Sequence, residues 1–215
     1  MVARDGLLEE RLHKPDISGK DQFAHVNFGL QRSHHYNMLA VLLSRAPDET
    51  VLTALAALQG ESTTPFGLAH IALAEAAATA DRDVVSREFF NLFIGVGRGE
   101  LLPYASFYQT GFLNEKPLAR LRADLAILGI ERAPHEVEPE DHIAIICEIM
   151  AALCAGDFGA APEADRATFE RHLKPWGARF FADLETAETA RFYRHVGAIG
   201  RMFMESEAEA FAEDM

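Results

Sequence analysis

A chain of 215 residues, 49% of them hydrophobic, is long enough to bury a sizeable core as one domain or two small ones. Its 33 acidic against 20 basic residues leave a formal charge of -13, which argues against a nucleic-acid surface, since phosphate binding needs clustered Lys and Arg. The opening residues lack the apolar core of a secretory signal, and no run approaches the roughly 20 apolar residues of a membrane helix, so the expected location is cytoplasmic, without membrane insertion.

Residues 1–28 are polar and aperiodic, with Pro15 and Gly19, and read as a flexible lead. A helix is expected from about Leu30 to Arg45, before Pro47; Asp48 can cap a second, reaching about Leu58. Gly60 to Thr64 form a loop ahead of Pro65 and an alanine-rich helix to about Ala80, and Asp81 can cap the next, which runs through Phe89 and Phe90. Leu118, Leu121, Leu125 and Leu128 fall on one helical stripe that Gly129 is placed to end. Between Ile143 and Ala155 only Glu148 is charged and apolar residues occupy every side of the wheel, as in a helix at the centre of a bundle; Glu148 is expected to pair internally. Its two cysteines, Cys147 and Cys154, lie about 10 Å apart on that helix, too far for a disulfide, and read as small core residues. Later stripes, Phe192, Val196, Ile199 and Phe203 among them, complete an all-α chain of roughly nine to eleven helices in one globular bundle, 29–215, with a hinge expected near 156–163.

The run Glu138-Pro139-Glu140-Asp141-His142 stands at the mouth of the apolar helix, where Pro139 suits a first helical position and acids complement the helix dipole. Five carboxylates lie between Ala133 and Glu148 without a Lys or Arg among them, a ready counter-charge for a basic ligand. Other motifs carry less. Gly95-Val96-Gly97-Arg98-Gly99 has a misplaced third glycine for a dinucleotide fingerprint and no strand before it, so its glycines read as a tight turn. No histidine belongs to a metal motif of ligand spacing, and His142 has no evident Ser or Cys nucleophile to activate.

Two segments carry a resemblance: Glu88 to Leu113, with Leu92-Phe93, Gly95, Gly97 and Pro103-Tyr104-Ala105-Ser106-Phe107-Tyr108, and, about thirty residues on, Glu138-Pro139-Glu140-Asp141-His142. In order and spacing they resemble the TorD/DmsD family of cytoplasmic chaperones for molybdenum enzymes, and the tail with His172, Pro175-Trp176, Phe180-Phe181 and Phe192-Tyr193 extends the likeness over roughly Leu30 to Glu205. The resemblance implies a TorD-like helical fold and a non-enzymatic chaperone that binds the twin-arginine signal peptide of an apo-molybdoenzyme until cofactor insertion and export.

By the same likeness the signal-peptide residues are Gly97, Pro103, Ser106, Tyr108, Glu138, Pro139, Asp141 and His142, to which Tyr104, as an aromatic after Pro103, and Glu140, as a carboxylate of the acidic run, are added on their chemistry, with no metal and no catalytic residue. Tyr104 departs from the tryptophan of many relatives. Glu138, Glu140 and Asp141 would pair with guanidinium groups and the aromatic segment would take the apolar stretch. No resident cofactor is expected, a weak contact with a guanine nucleotide or the molybdenum cofactor staying open, and the chain is expected to be a monomer or a domain-swapped dimer. Two other readings stand beside it: a nucleotide-regulated protein or enzyme using the 95–99 loop and His142, and an acidic helical adaptor for a folded partner.

Overall fold

The computed structural model describes residues 19–132, 137–161 and 163–213, and its architecture is all-α, with ten α-helices and no strand among the described residues. They are α1 (Gly19–Ser44), α2 (Glu49–Ala56), α3 (Pro65–Ala78), α4 (Arg82–Phe89), α5 (Ala105–Thr110), α6 (Lys116–Ile127), α7 (Ile143–Ala155), α8 (Ala164–Thr168), α9 (Gly177–Thr186) and α10 (Tyr193–Glu213). Both α4 and α8 widen at their ends into single π turns, Phe90–Ile94 and Phe169–Leu173. The first helix starts at Gly19 rather than near Leu30, so the expected flexible lead is helical from that point, while residues 1–18 lie outside the described residues.

Helix starts follow the capping chemistry of the sequence. Asp48, Thr64 and Asp81 each accept an amide of the following turn, and Pro65 occupies a first-turn position where its missing N–H costs nothing. Gly129 adopts the left-handed conformation just after α6. An uncapped start, that of α10, is completed from afar: the buried carboxylate of Glu88 accepts the amides of Arg191 (2.8 Å), Phe192 (3.1 Å) and Tyr193 (2.8 Å).

The core is continuous. It runs from Tyr36, Leu39 and Leu42 of α1 through Ile143, Ile146, Cys147 and Met150 of α7 to Trp176, Phe180, Phe181, Tyr193 and Ile199. α7 packs along α1, and α10 along α9 and α3. Burial on most sides of α7 matches its sequence, with one accessible stripe, Ile145, Glu148 and Ala152, spaced as one helical face. Glu148 is therefore exposed rather than paired in the interior, and Cys154 is half-buried where Cys147 is fully enclosed. Burial pushes the Cys154 thiol up to about 12, with Arg32 opposing it.

One charged network crosses the interior. Arg32 donates from Nε and Nη2 to the two oxygens of Glu207, each at 2.7 Å, and from Nη1 to Asp165 at 2.6 Å, while the Tyr36 hydroxyl donates to Glu207 at 2.8 Å. Burial alone would lower the Arg32 pKa; the fork to Glu207 raises it above its ordinary value and keeps the guanidinium charged. Between α7 and α8, four left-handed residues, Gly156, Phe158, Gly159 and Glu163, turn the chain at the expected hinge.

Candidate functional site

The two sequence segments singled out above meet. Residues 103–106 and 139–143 run antiparallel for a single step, bridged at Tyr104 and His142. Pro103 donates nothing; its carbonyl accepts the Ile143 amide at 2.8 Å, and the Ala105 amide reaches the Asp141 carbonyl at 3.0 Å. The rings of Tyr104 and His142 meet edge to face, centroids 5.1 Å apart.

Asp141 lies at the centre of this junction. One carboxylate oxygen accepts the Ser106 amide at 2.8 Å, so Asp141 supplies a cap to α5, not to α7 as the spacing suggested. The cap of α7 is His142, whose Nδ1 accepts the Ala144 amide at 3.1 Å and therefore carries no hydrogen. The 138–142 run thus precedes α7 instead of forming its first turn, and Pro139 is not a helical residue. Ser106 is fully enclosed within α5, its hydroxyl accepting the Glu115 amide at 3.2 Å; neither Ser106 nor Tyr108 lies in a loop.

Each acid of the run has a separate neighbour. Glu138 accepts the Tyr104 hydroxyl at 2.6 Å, and Glu140 accepts the Arg122 Nε at 2.9 Å from α6. Tyr104 is held above its ordinary pKa by burial and then by Glu138. For Glu140 burial acts upward, but the Arg122 bond, a backbone amide and the charges of Arg122 and Arg132 together outweigh it, and the carboxyl sits below its usual range. Asp141 is only 1% exposed, so a guanidinium from outside cannot reach it without opening the junction.

Beside Glu140 opens a cleft of about 320 Å³ between α6 and α7. Ile130, Ile145, Ile149 and Phe158 form its apolar wall, and Glu131, Glu140, Glu148 and Arg132 its polar edge. Glu131 and Glu148 were not among the expected site residues. Glu148 had a signal in the sequence: it is the one charge on the stripe shared with Ile145 and Ala152.

Tyr108 belongs to a different cleft, of about 440 Å³, with Leu101, Leu102, Phe107, Arg179 and Asp183. Its hydroxyl donates to Asp183 at 3.0 Å and its ring lies against Trp176 and beneath Arg179. The expected apolar anchors divide between core and surface: Phe89 and Leu92 are buried, whereas Phe107 and Tyr108 are half-buried. Gly97 has a positive φ of 91° in an open turn, distant in character from either cleft. That turn leads into an irregular stretch and not into a helix, so no helix N-terminus stands behind it to receive a phosphate. Among the described residues no group of three or more His, Cys, Asp or Glu side chains is placed to hold a metal, and no helix is long and apolar enough to cross a membrane.

A family profile described as nitrate reductase delta subunit matches residues 59–182, the stretch from the loop before α3 into α9, which contains both segments of the junction. The chain is similar to the chaperone protein TorD of Vibrio cholerae serotype O1 (El Tor Inaba N16961), 26% identical over 138 residues, which cover 60% of this chain and 63% of that one. TorD of Aliivibrio fischeri is 28% identical over 138 residues, 60% of this chain and 64% of its own. The matches therefore span less than two thirds of these relatives. A crystal structure described as that of a redox enzyme maturation protein from Archaeoglobus fulgidus superposes with a TM-score of 0.57 at 20% identity, covering 81% of this chain and 93% of that one, which is a likeness of fold.

Proposed function

Since the chain belongs to the nitrate reductase delta subunit family, with its TorD-like chaperones, we propose that it is a non-enzymatic chaperone in the maturation of a molybdenum-cofactor oxidoreductase. The segment it holds is the client's twin-arginine signal peptide, and it acts in the cytoplasm, before export. The single observation that carries the peptide-binding part is the cleft where Glu131, Glu140 and Glu148 edge an apolar wall of Ile130, Ile145 and Ile149. Two adjacent arginines followed by an apolar stretch have the complementary chemistry. Carboxylates take the guanidinium forks, and burial of the apolar stretch supplies most of the affinity.

In this reading the ten expected site residues have unlike roles. Pro103, Ser106, Asp141 and His142 position the 137–140 segment against α6 and α7, and their backbone and capping bonds are used up in doing so. Glu138, Glu140 and Tyr104 are the groups of that junction within reach of a ligand. A ligand arginine at Glu140 competes with Arg122, an exchange that costs little where Arg122 is half in water. Dimers formed by exchanging α8–α10 would use the left-handed turn at 156–163 as their hinge.

Calorimetric titration with twin-arginine signal peptides from the same genome, each beside a copy with both arginines changed to glutamine, tests this. Binding that falls at least tenfold in the glutamine copy is the expected result. Equal binding of both copies would remove the acidic cleft from the reading, and no binding of any such peptide would remove the chaperone function as stated.

A further inference from the structure

A cavity of about 890 Å³ that shares no lining residue with that cleft lies between α1, α2 and α3. Two of its lining residues, His35 of α1 and His70 of α3, bring their Nε2 atoms to 3.2 Å from each other. Both Nδ1 atoms are already committed. His35 Nδ1 meets the Gln31 carbonyl at 2.8 Å, and His70 Nδ1 meets the Phe66 carbonyl at 2.8 Å. A carbonyl oxygen can only accept, so each Nδ1 must carry the hydrogen. In the neutral rings each Nε2 is then a bare lone pair, and two lone pairs face one another across 3.2 Å.

Such a gap calls for a cation. Nitrogen ligands at about 2.0–2.1 Å from a tetrahedral metal ion are about 3.3 Å apart, and rings lying on their metal–nitrogen axes have centroids about 5.2 Å apart. Here the nitrogens are 3.2 Å apart and the centroids 5.2 Å, with the ring planes nearly perpendicular at 88°. The rings are also held from behind as metal-bound imidazoles usually are, each by an Nδ1–H bond to a carbonyl that fixes tautomer and orientation. Phe66 and Phe203 pack on the His35 face and leave its edge for the contact.

We propose that His35 and His70 form a two-imidazole site for a borderline divalent transition metal ion, zinc being the type, which ties α1 to α3 on the wall of this cavity. Among the described residues no third His, Cys, Asp or Glu side chain completes a ligand set, so the remaining positions take water or a donor brought by a ligand in the cavity. Imidazole pairs select zinc, nickel or copper over magnesium and calcium, which prefer oxygen. The site is independent of the peptide-binding reading, since none of the residues of the acidic cleft contributes to it.

The test uses the full chain without a histidine tag, freed of metal by a chelator that is then removed, and titrated with zinc ion alone by calorimetry and thermal melting, with magnesium ion as control. One zinc per chain with a raised melting midpoint is expected, together with tetrahedral absorption bands when cobalt replaces zinc. In His35→Gln and His70→Gln, each checked for unchanged helical content without metal, zinc affinity should fall at least tenfold. His35→Gln alone serves if His70→Gln does not fold, since His35 is the less buried of the two. Absence of zinc binding overturns the proposal, as does binding that survives in the variants, which would place the ion on other histidines of the chain.

Discussion

Asp141 accepts the Ser106 amide at 2.8 Å through its side chain and the Ala105 amide at 3.0 Å through its carbonyl, so one residue takes up the first two amides of α5 and fixes its N-terminal end against the entrance to α7. A carboxylate so used is a structural part. Asp141→Ala should lower stability by about 1–3 kcal/mol, since it leaves a buried amide without a partner. Asp141→Lys should cost more, because the ammonium would arrive where only 1% of the residue meets solvent. Urea unfolding of the two variants measures this, and an unchanged midpoint in Asp141→Ala would deny the junction its role. Peptide affinity of the near-isosteric Asp141→Asn separates positioning from contact: it should stay within a few-fold of the parent chain.

The fork between Arg32 and Glu207 is the second place where a single change should be costly, with side chains 9% and 3% exposed. Glu207→Leu removes both oxygens of the fork from the buried guanidinium and strands the Tyr36 hydroxyl; a loss of about 3–5 kcal/mol is expected in urea unfolding. Replacing the three most buried members, Arg32→Met with Tyr36→Phe and Glu207→Leu, should recover most of that loss, because the one charge left is that of Asp165, the most exposed of the group. A triple variant as unstable as the single one would show that packing around Glu207, and not charge pairing, carries the effect.

Much of this was legible in the sequence, because helix caps and apolar periodicity are local. Asp48, Thr64, Asp81 and Gly129 mark helix ends where the structure has them, and the apolar wheel of 143–155 is the central helix. What failed was non-local. Asp141 looks like an acid in the first turn of α7 because it precedes an apolar run, yet its partner is Ser106, reached only when two loops pair. Likewise Arg122 lies far along the chain from Glu140, so the acidic run appeared unneutralised until α6 was placed beside it. The His35–His70 contact spans two helices whose spacing no motif records, and the 19–28 helix has too polar a sequence for periodicity to reveal it.

Acid should weaken the fold in two stages. Burial lowers the pKa of His172 below 6.5 despite its 2.7 Å bond to Asp124, and burial with Arg194 lowers that of His195 in the same way. The native state therefore favours the neutral rings, while the unfolded chain takes up protons first as pH falls through 6.5. The stability these rings contribute is complete above 6.5 and is lost below it, with a slope of at most about 1.4 kcal/mol per pH unit for each proton. Glu100 and Glu140 are shifted below 4.5, the first by Thr189 and nearby amides and the second by Arg122, both against the upward pull of burial. Their contribution persists until pH falls below 4.5 and is lost beyond it. Unfolding midpoints measured from pH 8 to 4, in chelator, should show the first descent flattened in His172→Gln; a curve of unchanged slope would mean that His172 keeps an ordinary affinity for protons.

Arg122 and Glu140 offer the sharpest test of the cleft, because the resident arginine occupies the position that a ligand arginine would need. The pair is asymmetric, with Glu140 13% exposed and Arg122 51% exposed, so the guanidinium can leave into water while the carboxylate stays. Arg122→Ala should therefore strengthen binding of a twin-arginine peptide by about two- to fivefold, the scale of an exposed ion pair of under about 1 kcal/mol. The copy with both arginines changed to glutamine should bind as before. Glu140→Gln should do the reverse, weakening only the arginine form. If Arg122→Ala weakens both peptides alike, Arg122 supports the cleft wall and Glu140 is not the acceptor; if it strengthens both alike, the gain is apolar area uncovered beside Ile130, and the arginines are read elsewhere on the rim, with Glu131 and Glu148 the next carboxylates to change.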